Sequence, residues 1–126
     1  MTKSIVLMLA LASSVNAFAA TQTYKCVTTE NNAGDALLTV NSKKATYTNL
    51  DESYGEVGEK FTATIDNDYS PRPSSIEKIR YLGEQNGNDR QIIIDARLLD
   101  GVSKGYMQLR GSEDGYWSAV YSCAKI

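Results

Sequence analysis

The strongest constraint on this chain is covalent: it has only two cysteines, Cys26 and Cys123, placed almost at the two ends of what remains once an export signal is removed. Residues 1–19 read as that signal. Lys3 supplies the positive n-region, Ile5 to Ala12 the apolar stretch, and Ala17-Phe18-Ala19 the small-x-small cleavage site. The mature protein is expected to begin at Ala20, so 1–19 is assigned as signal peptide and 20–126 as a single domain. An oxidising compartment lets thiols pair, which predicts one bridge between Cys26 and Cys123 and a periplasmic or secreted location.

Cleavage after Ala19 of the 126-residue chain leaves 107 residues, the size of one domain. The apolar stretch of the signal is too short to cross a bilayer, and no later segment approaches the roughly 20 apolar residues of a membrane helix. Without Lys3 there are 12 basic and 15 acidic residues, a net charge of −3, with the signs interspersed along the sequence. No basic stripe is present to neutralise phosphates, which argues against nucleic acid as partner. The chain has no histidine, which removes the usual general base, the common zinc ligand and the usual pH switch. Two distant cysteines do not make a zinc site. No metal and no cofactor are expected.

Alternation of apolar and polar residues dominates over any 3.6-residue period, and turn residues recur every several positions. Strands are predicted at Thr21 to Thr29, Ala36 to Val40, Lys44 to Thr48, Lys60 to Ile65, Ile76 to Leu82, Arg90 to Leu98, Lys104 to Arg110 and Tyr116 to Cys123. Between them lie the breaker Asn31 to Asp35, the acidic loop Asp51 to Glu59, the proline-containing segment Asp66 to Ser75, the hairpin turn Glu84 to Asp89 around Asn86-Gly87, and turns at Asp100-Gly101 and Glu113 to Gly115. The fold class is therefore all-β: about eight short antiparallel strands forming a small up-and-down barrel or closed sandwich whose ends are joined by the disulfide. Tyr24 is in phase with Cys26, and Trp117, Ala119 and Tyr121 with Cys123, so the bridge is expected on the core side of the seam. With strands this short, an interior filled by side chains is expected. Most of the strands are also shorter than the roughly 9 to 11 residues of a membrane barrel.

The segment Asp66 to Ser75 is the first candidate site, because a stiff loop carrying Tyr69, Pro71, Arg72 and Pro73 loses little entropy on binding. Asp66, Asn67 and Asp68 offer clustered oxygens, but without the alternation of a calcium loop, and turn chemistry explains them. The acids Asp51, Glu52, Glu56 and Glu59 could include a glycosidase-type pair, but a solvated acidic loop is the better account of them. Asp95 interrupts an apolar run, and alternation places it outward. Tyr54, Tyr69 and Tyr106 fall in or near turns and are expected as exposed contacts.

Tyr24-Lys25-Cys26 directly after the signal, a small β-rich body and a partner cysteine near the C-terminus resemble the outline of the periplasmic inhibitors of c-type lysozyme. That resemblance implies a small antiparallel barrel that plugs a cleft with a loop. It covers the ends of the chain; the family's Ser-Gly-x-x-Tyr segment is absent, with Gly111 to Tyr116 a distant echo, and no inhibitory residue is carried over. The expectation is a small exported binding module, non-enzymatic and monomeric, whose partner is a protein or a cell-envelope component. The alternatives are an inhibitor of a secreted hydrolase such as lysozyme, a small apolar ligand carrier, and a His-free carboxylate hydrolase.

Overall fold

The computed structural model describes residues 20–69, 77–113 and 115–126. Among these, eight antiparallel strands close into a barrel in which every strand pairs with its neighbours in sequence. They are β1 (Gln22–Val27), β2 (Ala36–Val40), β3 (Lys44–Asn49), β4 (Lys60–Ile65), β5 (Lys78–Gln85), β6 (Asn88–Asp95), β7 (Lys104–Gly111) and β8 (Trp117–Lys125). Pairing of β1 with β8 completes the ring and sets Cys26 opposite Cys123. The two are bonded, at a sequence separation of 97 residues, and both are wholly buried. The expectation of an all-β barrel with its ends bridged holds, and the barrel prevails over the sandwich.

Period-2 patterning explains the ring. Along β2, Ala36, Leu38 and Val40 point inward, and Ala45 and Tyr47 do so along β3. Tyr81, Ile92, Ile94, Met107 and Leu109 continue the same core round the ring. Asn86 and Gly87 both adopt positive φ (53° and 80°), the conformation a two-residue hairpin needs to match strand twist. The turn predicted over Glu84 to Asp89 therefore shrinks to these two residues, and β5 and β6 pair up to Gln85 opposite Asn88.

Several boundaries differ from those read in sequence. The strand predicted from Arg90 to Leu98 stops at Asp95, and Ala96–Asp100 forms a short 3-10 helix. Asp95 caps it by accepting a hydrogen bond from the Arg97 backbone N–H (3.0 Å), and Gly101 closes it by donating to the carbonyls of Arg97 and Leu98. Leu98 is buried in the helical geometry as it would have been in an extended one, so its apolar character does not discriminate between the two. Asp95 is not solvated as alternation suggests. It is 1 % exposed and forms an ion pair with Arg97. In the acidic loop, Glu52–Tyr54 is a single 3-10 turn capped by Asp51. The predicted start of β5 at Ile76 lies outside the described residues, as do the proposed signal peptide and its cleavage site.

The 3-10 helix Ala96–Asp100 seals one end of the barrel. The buried Tyr24 hydroxyl shares its proton between the carbonyls of Leu98 (2.8 Å) and Val102 (3.0 Å), and so ties β1 to the far side of that end. Leu98 packs onto Gly105, where an added methyl would come within 2.6 Å of its Cδ2.

The ionisable groups define a pH window for this fold. Hydrogen bonds from Arg80, Arg97 and Arg90 hold the carboxyls of Asp66, Asp95 and Glu113 below the usual carboxylate range. Burial pushes the phenols of Tyr24, Tyr47, Tyr81, Tyr106 and Tyr121 up. Stability from the carboxylates is present above their unfolded pKa of about 4 and fades as pH falls through the lower folded values; stability from the neutral phenols is present below about 10 and fades as pH rises through the higher folded values. Melting temperature is expected to be flat between about pH 5 and 9 and to decline on both sides. Scanning calorimetry across pH checks this, and a melting temperature still rising as pH drops below 4 would contradict the carboxylate assignment.

Candidate functional site

The other end of the barrel is open. The connections 28–35, 50–59, 86–87 and 112–116 all converge there, because alternate links of an up-and-down barrel share one end. They surround a cavity of about 650 Å³. Tyr47 forms the aromatic part of its floor, backed by Phe61, on which it stacks at 5.4 Å, and by Tyr121, which it meets edge-on with the two tyrosine hydroxyls 3.3 Å apart. The interior predicted to be filled throughout is thus filled at the sealed end and hollow at the open one.

One cation stands inside the mouth. Arg90 is in phase with Ile92 and Ile94 and points inward, yet it sits at the rim end of β6 and is 8 % exposed. Such a charge needs partners. Its guanidinium donates to both oxygens of Glu113, to the Asp89 carbonyl (3.2 Å) and through Nε to Gln85 (3.1 Å). It also stacks over the Trp117 ring, 5.1 Å from the centroid. Register explains the stacking: Arg90 opposes Gly111, and Gly111 opposes Trp117. A Cβ at Gly111 would lie 2.5 Å from the indole, so only glycine lets that ring lie across the strand.

The rim is tied at several points. The Tyr54 hydroxyl donates to the Asn31 carbonyl, and Asn86 donates to Glu59 (3.2 Å). Asn32 donates to the Ser118 carbonyl (3.1 Å), and Asn49 to the carbonyls of Asp51 and Glu56. These bonds link neighbouring loops to one another and to the barrel wall. Tyr116, by contrast, projects from the last loop and is 92 % exposed.

The residues singled out in sequence are scattered relative to this mouth. Pro71, Arg72 and Pro73 lie outside the described residues. Tyr69 is half-buried, not an exposed contact, because Arg80 stacks on its ring at 4.5 Å while pairing with Asp66. It belongs to the sealed end. Tyr106 is likewise half-buried on β7, beneath Lys78. Tyr54 is exposed as expected and lines the mouth. Of the four acids weighed as a catalytic pair, Asp51 caps a turn and Glu59 holds Asn86. Among the described residues, no group of three or more acids, cysteines or histidines is placed to hold a metal ion. Sequence pattern alone does not single out Glu113 or the mouth itself. The one signal it carries is Arg90 falling in phase with Ile92 and Ile94, a charge on a core-facing position.

No family model, curated protein or solved structure matches this chain.

Proposed function

We propose that the protein is a small exported, non-enzymatic binding module that takes its partner in the open end of the barrel. The observation that carries this reading is the asymmetry of the two ends: one is plugged by Leu98 and its helix, the other opens on an aromatic-floored cavity whose loops are held by cross-bonds. A rim fixed before binding loses little conformational freedom on docking, and aromatic anchors at such a rim supply most of the energy of recognition. The bridge joining Cys26 to Cys123 supports an oxidising, exported location.

The test is capture from the exported fraction of the protein's own host on the immobilised chain, beside the Tyr116→Ala variant. Tyr116 is solvated, so its removal should leave the melting temperature unchanged. The partner held by the native chain is expected to bind Tyr116→Ala about tenfold or more weakly. Capture that is equal on both, or that is absent from both, would overturn the assignment of the mouth as binding site.

A further inference from the structure

Resting on that reading, the charge distribution identifies the partner's chemistry. Signs interspersed along the sequence become segregated in space. The four connections at the open end carry Glu30, Asp35, Asp51, Glu52, Glu56, Glu59 and Glu113, and among their described residues there is no lysine or arginine; the cations nearest them, Lys60, Arg90 and Arg110, sit on the adjoining strand ends. Only Glu113 has an ion-pair partner among the described residues. At the sealed end, Asp66 and Asp95 are paired with Arg80 and Arg97, and Asp68, Glu77 and Asp100 are offset by Lys43, Lys44, Lys78, Lys104 and Lys125. The barrel therefore presents a net negative open end, with Glu59 and Glu113 in the lining of the cavity, and a compensated opposite end. A field of this kind raises the encounter rate of oppositely charged partners and disfavours anionic ones.

A second observation fixes the size of the partner. Tyr116 is almost wholly solvated, and Val57, on the loop that carries Glu52, Glu56 and Glu59, is 61 % exposed. Tyr116 lines the cavity, whereas Val57, placed among the acids outside it, extends the apolar contact surface beyond the cavity. A small amine held in the cavity would leave Val57 uncovered; a polypeptide reaches both.

We infer that the mouth receives a cationic polypeptide, whose lysine or arginine side chains enter between Tyr54 and Tyr116 toward the rim carboxylates while its backbone crosses the exposed loop residues. The cation heads gain from the aromatic faces as well as from the acids, and their apolar stems match the tyrosine floor. Arg90 does not oppose this entry, since Glu113 neutralises it in a two-point pair.

A random peptide library displayed on phage and panned against the intact disulfide-bonded chain tests the inference while the partner is still unidentified. Enriched peptides are expected to carry net positive charge and to bind more weakly as salt rises. Against the variant Glu30→Gln/Glu52→Gln/Glu56→Gln, whose three altered side chains are all exposed, their affinity is expected to fall about tenfold, with a shallower salt dependence. Enrichment of neutral or acidic peptides, no enrichment, or cationic peptides that bind the triple variant unchanged would each overturn it. Neutral peptides that are lost with Tyr116→Ala would overturn the cationic partner and leave the mouth standing as the binding site. Peptides indifferent to both variants would remove both.

Discussion

Replacing Cys26 and Cys123 together by alanine will lower the unfolding free energy by up to about 4–5 kcal/mol, the chain-entropy value for a closed loop of this length. The two residues are 97 apart in sequence and opposite one another in the β1–β8 pairing. That pairing joins the first and last strands, which do not follow one another in sequence, so the untethered chain must close nearly its whole length before those hydrogen bonds form. A domain of this size has a total stability of only ~5–15 kcal/mol, and the variant is expected to approach marginal folding at 37 °C. Reversible urea titration of the oxidised protein and the variant measures the difference. A loss below about 1 kcal/mol would mean that strand pairing alone specifies closure.

The second large effect is at the sealed end. Leu98→Ala is expected to cost about 2–5 kcal/mol, the range for a buried leucine whose surroundings cannot collapse into the space left. Leu98 is fully buried against the face of Gly105, and its carbonyl accepts the Tyr24 hydroxyl. Alanine keeps that carbonyl, so the change isolates the packing of the plug. Leu99, half-buried on the same 3-10 helix, provides the comparison: Leu99→Ala should cost clearly less. Equal losses at the two positions would show that the helix does not plug the barrel through Leu98.

Much of this architecture is legible in the chain, for identifiable reasons. Strands β2 and β4 match their predicted limits because each is a short run, apolar in β2 and alternating in β4, with turn residues on both sides. The end of β6 escapes the pattern because Ile92, Ile94, Ala96 and Leu98 keep a period of two while the backbone changes from extended to helical at Ala96. The signal that marks the change is Asp95 as a cap and Gly101 as a terminator. Alternation places Asp95 in solvent because it does not reveal that Arg97, two residues on, folds back to satisfy it. The acidic mouth is hidden differently. Its acids lie in connections far apart in sequence, and they meet only because alternate links of a meander fall on one end. The tyrosine and proline segment stands out by composition, yet Tyr69 belongs to the end opposite the cavity.

Both described chain ends leave from the sealed side: Gln22 starts β1 and Lys125 ends β8 there, and the Ile126 amide donates to the Thr23 carbonyl at 3.2 Å. Anything attached beyond either terminus, whether an affinity tag, a fused domain or a solid support, therefore hangs behind the barrel and leaves its mouth unobstructed. Attachment through the Asn86-Gly87 hairpin would have the reverse effect, crowding the rim that the termini spare.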